Sequence, residues 1–182
     1  MLYHTSPVEI KKIHHKGRYG PGLFFSDRPY YMTQSENPHL YGYEPEEGEI
    51  IDPNDFNNLD PENYKKIKHI VKDISNRMGV DEESALSFLS QNKDPHSFYN
   101  ELESHIENSM DDEDEEIPFK KQLYKHLSKF DLGELSWDLQ AEALKAANIL
   151  GKKGVKTPDE TGISYLINLF GNESKLKKIS NK

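Results

Sequence analysis

Two short segments near the start of the chain limit what it can fold into. Residues 2–6 read Leu-Tyr-His-Thr-Ser and stop at Pro7, and residues 17–27 read Gly-Arg-Tyr-Gly-Pro-Gly-Leu-Phe-Phe-Ser-Asp. Aromatic and apolar residues favour strands, whereas Gly and Pro favour turns. The pattern therefore predicts a strand, a Gly-rich turn and a second strand. The polar residues at the end of the first strand predict a functional site there.

The rest of the chain predicts an α+β fold in one domain, residues 1–182. Strands are predicted at 2–4, 22–25, 40–44 and 49–51, and a short helix follows Pro29 through Tyr30, Tyr31 and Met32. Four helices, beginning at Asp60-Pro61, Asp81, Asp94-Pro95 and near Phe119, make residues 60–131 a helical insertion. A fifth helix capped by Ser136, a turn over 157–162 and a strand over 163–170 return the chain to a core of about 1–52 and 132–180.

Composition excludes several function classes. The 182 residues contain no Cys and carry a formal net charge of −9, so we expect no disulfides, no thiolate metal site and no direct nucleic-acid binding. No apolar run approaches a membrane span or a signal peptide, and we expect a cytoplasmic protein. The scattered histidines predict no metal. The acidic run 111–116 is either a solvated loop or a docking point for a basic partner.

Familiar catalytic motifs are absent, which leaves two places for chemistry. The chain has no dinucleotide-binding glycine motif, no P-loop, no nucleophile elbow and no His-Glu-x-x-His. What remains is the opening segment and the acidic pair Asp159-Glu160, which could also be ordinary turn residues beside Gly162. The aromatic residues of the opening segment could be plain core. Arg18 suits a diphosphate because its planar guanidinium binds phosphate with two hydrogen bonds, or it lies on the surface by chance.

These motifs, taken in order, resemble the ADP-ribosyltransferases of the diphtheria-toxin and poly-ADP-ribose-polymerase type. That family has a strand ending in His-Gly-Ser/Thr, then Gly-x-Tyr/Phe-Phe-Ser/Ala followed by a Tyr, then an acidic residue at a later strand edge. This chain has His4-Thr5-Ser6, then 22–26 with Tyr30 and Tyr31, then Asp159-Glu160. Thr5 stands where the family usually has Gly. Residues 137–140 and 159–162 are most similar to phage-encoded anti-CRISPR members that act on the type I-F surveillance complex.

The resemblance implies a split β-sheet and NAD as co-substrate, with no metal. Asp159 would be the catalytic carboxylate, with Glu160 as second choice, because the reaction passes through an oxocarbenium-like centre. His4 would bind a ribose hydroxyl, the backbone at Thr5 would hold the carboxamide, and Ser6 would cap the turn or touch nicotinamide. The residues expected to bind NAD are His4, Thr5, Ser6, Arg18, Phe24, Phe25, Ser26, Tyr30 and Tyr31.

The implied function is transfer of ADP-ribose from NAD to a macromolecule, in most cases a protein. A subunit of a CRISPR surveillance complex is one implied acceptor, which would make the chain a phage host-interference protein acting in the host cytoplasm. Two alternatives stay open. One is a non-catalytic acidic protein that blocks a basic surface, and the other is an NAD glycohydrolase toxin that passes ADP-ribose to water.

Overall fold

The computed structural model describes residues 1–30, 38–108, 116–159 and 162–179, with backbone alone at 159 and 162. It confirms the α+β class. The described chain divides into two compact units, one formed by Met1–Pro53 and Gln140–Lys182 and the other by Asn54–Leu139. The strands are β1 (Leu2–Ser6), β2 (Gly22–Ser26), β3 (His39–Tyr43), β4 (Ile50–Ile51), β5 (Gly154–Asp159), β6 (Gly162–Asn168) and β7 (Lys177–Ile179). The helices are α1 (Pro61–Met78), α2 (Glu82–Leu89), α3 (Pro95–Asn108), α4 (Ile117–Leu127) and α5 (Leu132–Ile149).

The first unit is built on one mixed sheet. Its described strands lie in the order β4-β5-β6-β2-β1-β3-β7, and each neighbouring pair is antiparallel except β4 and β5. A core cluster of buried side chains contains Leu2, Ile13, Phe25, Tyr43, Ile167 and Leu169. Leu144 of α5 comes so close to Gly22 that a Cβ there would lie 2.7 Å from its Cδ2. Glycine at 22 therefore lets α5 pack tightly against the start of β2.

The second unit is helical because its sequence supplies caps and apolar stripes at the right places. Asp60 caps the start of α1: its side chain accepts a hydrogen bond from the main-chain N–H of Asn63, and Pro61 is the first helical residue. Gly79, with a φ of 72°, ends the helix. Asp81 caps α2 in the same way. Inside α1 the buried residues are Ile67, Ile70, Val71, Ile74 and Met78. The predicted helices of the insertion are confirmed. Of the acidic run, positions 111–115 lie outside the described residues.

The structure differs from two predictions about the last third of the chain. The Ser136 cap is wrong: α5 begins at Leu132 because Asp131 accepts the main-chain N–H of Glu134 at 3.0 Å. The turn predicted over 157–162 is also wrong at its two ends, since β5 continues to Asp159 and β6 begins at Gly162. Positions 160 and 161 lie outside the described residues. Because β4 pairs with β5 at Gly154 and Val155, β5 is an edge strand at Pro158, where a missing N–H costs little.

The short helix predicted after Pro29 is not formed at Pro29 or Tyr30, which lie in irregular backbone. The remainder of that prediction, at 31 and 32, lies outside the described residues. The strand predicted over 163–170 is confirmed as β6, but it ends earlier than predicted, at Asn168. Asn168 Oδ1 accepts the main-chain N–H of Phe170 at 3.0 Å, which turns the chain out of the sheet.

A carboxylate cluster centred on Glu49 joins distant parts of the first unit. Its Oε2 accepts hydrogen bonds from the Tyr43 hydroxyl at 2.6 Å and the Glu46 main chain at 2.9 Å. Its Oε1 contacts the ammonium groups of Lys153 and, at 3.4 Å, Lys175. Burial raises the pKa of Glu49, but the hydrogen bonds from Lys153, Tyr43 and Glu46 outweigh it and lower the pKa to about 2. The ionised carboxylate therefore stabilises the folded unit.

Replacing Glu49 with glutamine is expected to lower the free energy of unfolding by about 1–2 kcal/mol at pH 7, a value discounted for the solvent around the lysines. Because the folded-state pKa lies below the ordinary 4.5, this stabilisation is complete above pH 4.5 and is lost as the pH falls towards 2. Urea unfolding at several pH values measures it. Glu47→Gln, at an exposed position of the same turn, is the control. A Glu49→Gln deficit that stays constant down to pH 3 would contradict the role given to the carboxylate.

Candidate functional site

The sheet of the first unit opens between its two central strands. β1 registers with β3 at all five residues, and β2 registers with β6 at all five. β1 and β2, however, are registered at Tyr3 and Ser26. Successive residues of a strand direct their main-chain groups alternately to its two edges. Towards the C-terminal end of β1, the main-chain N–H and C=O groups of either Thr5 or Ser6 therefore point into the opening.

His4 spans this opening. Its Nδ1 lies 2.7 Å from the carbonyl oxygen of Phe24, which can only accept, so Nδ1 carries the proton and Nε2 is left as an acceptor. Burial lowers the pKa of His4, although the bond to Phe24 opposes the shift. The ring is therefore neutral at pH 7. A neutral imidazole with a fixed tautomer and a free acceptor nitrogen suits a hydroxyl donor such as a ribose O–H.

Three hydroxyl side chains belong to the two strands that border the opening. Thr5 Oγ1 donates to the carbonyl of Tyr30. Ser6 Oγ donates to the carbonyl of Val8 at 2.7 Å, and it is buried. The Ser26 hydroxyl donates to the carbonyl of Arg28 at 2.5 Å. Each hydroxyl thus fixes the local path of the chain, as the turn-capping role proposed for Ser6 requires.

The aromatic residues expected at the site differ in their surroundings. Phe24 is half-buried, and its ring packs perpendicular to the ring of Tyr19 with centroids 4.7 Å apart. Phe25 is fully buried in the core cluster, with its ring 5.5 Å from that of His4, so it supports the imidazole from behind. Tyr30 is exposed. Tyr31 lies outside the described residues.

Arg18 lies at the rim of a cavity of about 250 Å³. The cavity lies between the turn at residues 17–21 and the part of α5 that contains Ala141, Glu142, Leu144, Lys145 and Asn148. Tyr19 also lines it, which connects the cavity to Phe24. The Gly-rich turn is shaped by Gly17 and Gly20, whose φ angles are positive.

The backbone of Asp159, the first residue of the acidic pair, belongs to the same sheet. The backbone of Asp159 ends β5 in register with Gly162 of β6, and β6 in turn pairs with β2. β5 is three strands from β1, a lateral separation of about 14 Å at ordinary strand spacing. The side chain of Asp159 and the whole of Glu160 lie outside the described residues. The topology thus brings the backbone of Asp159 to the sheet that carries His4.

The sequence analysis missed Thr157. It is 2% exposed, and its hydroxyl has no hydrogen-bond partner among the described residues. It registers with Ser164 of β6, which registers with Ser26 of β2, so hydroxyl side chains form a row across three strands. An unsatisfied buried hydroxyl costs about 1–3 kcal/mol, which a bound polar group would recover. The predicted turn placed Thr157 at an exposed position, where a hydroxyl bonded to water gives no sign of a site.

Two further properties bear on the site. The described residues contain no group of three or more His, Cys, Asp or Glu side chains arranged to hold a metal ion. Among the helices within the described ranges, none has the length and apolar character needed to cross a membrane.

Comparison with known proteins gives little beyond this geometry. No protein-family model matches the chain, and no curated protein sequence matches it significantly. Among solved structures, the chain is similar to one titled "Crystal structure of an anti-CRISPR protein", with 18% sequence identity and a TM-score of 0.47. That match covers 91% of this chain and 87% of the other.

Proposed function

We propose that the chain is an NAD-dependent mono-ADP-ribosyltransferase that modifies a protein. The opening between β1 and β2, spanned by His4, is the observation that carries the proposal. It provides a gap edged by main-chain donors and acceptors, with an acceptor nitrogen fixed beside it. A ligand that combines an amide, hydroxyls and an aromatic ring matches those groups, and the nicotinamide riboside half of NAD has all three.

Each part of that half has a candidate partner. The carboxamide would pair with main-chain groups at Thr5, as strands pair with each other. A ribose hydroxyl would donate to Nε2 of His4. The nicotinamide ring would contact Phe24, whose half-buried ring is held in place by its contact with Tyr19. Thr5 has a side chain where a glycine would leave more room, but its hydroxyl is turned away to the Tyr30 carbonyl.

The reaction then needs one carboxylate. The bond between nicotinamide nitrogen and ribose C1′ breaks, and nicotinamide leaves with the electron pair, so C1′ becomes an oxocarbenium-like centre. A carboxylate at Asp159 or Glu160 stabilises this positive charge. The lone pair of an acceptor side chain then forms the new bond to C1′, and its proton passes to the carboxylate or to water.

The acceptor and the biological setting come from the sequence resemblance. A host-interference role follows from the similarity of residues 137–140 and 159–162 to phage anti-CRISPR transferases, and the subunits of a type I-F surveillance complex are the first acceptors to test. The formal net charge of −9 favours an acceptor with a basic or neutral surface.

Incubation with labelled NAD and a bacterial lysate tests the proposal. We expect nicotinamide release together with label on a protein band, whose modified residue mass spectrometry identifies. Nicotinamide release with no labelled macromolecule would replace the transferase by an NAD glycohydrolase. Intact NAD after prolonged incubation, with a purified surveillance complex also present, would remove the enzymatic assignment altogether.

A further inference from the structure

The part of the chain that connects β1 to β2 contains a cationic segment. Residues 11–18 read Lys-Lys-Ile-His-His-Lys-Gly-Arg, and no Asp or Glu occurs between Glu9 and Asp27. The chain as a whole carries nine more negative than positive charges. The segment is therefore a local region of opposite sign in an acidic protein, of the kind that attracts anionic partners.

The segment is held against the sheet by its apolar residues. Ile13 is buried in the core cluster, and its N–H donates to Glu173 Oε1 at 3.1 Å. The N–H of Ile10 donates to the Tyr41 hydroxyl at 2.7 Å. The six Lys, His and Arg side chains of residues 11–18 are exposed. The segment is therefore fixed in position with its cations directed to solvent.

An exposed aromatic ring lies against His15 of this segment. The rings of His15 and Phe170 are 4.0 Å apart between centroids, tilted by 50°. Phe170 is 41% exposed, although burial is the ordinary environment for Phe. We call residues 11–18 together with Phe170 the cationic face. Cations next to an exposed ring are the combination that binds single-stranded nucleic acid, since the cations contact phosphates and the ring stacks on a base.

Two acidic side chains face the lysines of this segment. Glu173 faces the segment, and main-chain hydrogen bonds, with Lys12 contributing, lower the pKa of its carboxyl. Glu9 also interacts with Lys11, but its carboxylate is bonded to Lys178 at 2.7 Å. The three lysines of the segment therefore outnumber Glu9 and Glu173.

We propose that the cationic face binds single-stranded nucleic acid, with its lysines on the phosphates and Phe170 stacked on a base. This binding is independent of the transferase assignment. It differs from the expectation drawn from net charge, because a chain-wide sum conceals one segment of opposite sign. Arg18, which is also one of the residues expected to bind NAD, is left unaltered in the test.

Fluorescence anisotropy with a labelled oligouridylate of about 15 nucleotides tests the proposal. Phosphate contacts from the three lysines predict a slope of about −2 in log K against log salt, or roughly 20-fold weaker binding between about 50 and 200 mM salt. The variant Lys11→Gln/Lys12→Gln/Lys16→Gln should bind at least about tenfold more weakly, with the slope reduced to near zero.

A matched variant separates local from global charge. Lys65→Gln/Lys72→Gln/Lys121→Gln makes the same change in net charge at exposed positions of the helical unit, and it should bind like wild type. Equal losses in the two triple variants, or no binding at about 50 mM salt, would overturn the proposal. NAD turnover should be unchanged in the Lys11/Lys12/Lys16 variant, so failure of one assignment is not failure of the other.

Phe170→Ala distinguishes nucleic acid from an acidic protein. Because the variant cannot stack on a base, it should bind oligouridylate about tenfold more weakly than wild type. Its affinity for polyglutamate, which has no bases, should equal that of wild type. If polyglutamate of matched length displaces the oligonucleotide as well as unlabelled oligouridylate does, the cationic face is a docking surface for acidic protein and the nucleic-acid proposal is wrong.

Discussion

Replacing Asp159 with asparagine should reduce NAD-dependent label transfer by about 10²–10³-fold, the usual effect of removing one charge stabiliser from an active site. Asparagine keeps the size and hydrogen-bonding capacity of the side chain but removes the charge opposite the oxocarbenium-like centre. The measurement is the initial rate of nicotinamide release with an acceptor present. Unfolding by urea should be unchanged, since the substitution lies at the end of β5.

Glu160→Gln is the matched control for this experiment, because it makes the same charge change one residue further along. We expect Glu160→Gln to retain most of the activity if Asp159 is the catalytic carboxylate. A large loss at Glu160 with a small loss at Asp159 would exchange their roles. Near wild-type rates in both single variants and in the double variant would exclude the acidic pair from catalysis.

Replacing His4 with alanine should reduce NAD turnover by about 10–100-fold, the loss expected when a substrate loses one hydrogen bond of about 1–3 kcal/mol. The Phe24 carbonyl also loses its partner, so a modest drop in stability should accompany it. Because burial lowers the pKa of His4, the neutral ring persists below pH 6.5, and wild-type turnover should fall only at more acidic pH. Rates and the KM for NAD across pH 5–8 measure both effects.

His69→Ala, at an exposed position on α1, is the control for loss of an imidazole. Turnover of His4→Ala at the wild-type rate would refute the proposed contact to ribose. If His4→Ala and Asp159→Asn both left the biological effect of the protein intact while NAD turnover vanished, the effect would come from binding, as the acidic blocker hypothesis holds.

The helical unit could be predicted from sequence because its signals are local. Asp60, Asp81 and Gly79 each act on main-chain groups within a few residues, so the sequence contains the whole explanation of where those helices begin and end. The strands around His4 were predicted for a similar reason, since aromatic residues bounded by Gly and Pro favour short strands whatever their partners are.

What the sequence did not give depends on partners far away in the chain. β5 can continue through Pro158 because β4 no longer pairs with it there, so the missing N–H is not needed. The pairing of β4 with β5 joins residues about 100 positions apart in sequence. Thr157 is a buried hydroxyl for the same reason. The hydrogen bond from His4 to the Phe24 carbonyl depends on how two strands diverge, which no local pattern encodes. The residues expected to bind NAD were found through their types and order instead.

The opening between β1 and β2 also affects the energetics of the sheet. β1 is held by β3 and β7 on one side, whereas β2 is held by β6 and β5 on the other. A ligand that hydrogen-bonds to both edges of the gap would therefore supply the pairing that the two strands lack. By linkage, the free energy that joins the two halves of the sheet would then depend on ligand concentration, and the sheet would be most cohesive when the site is filled.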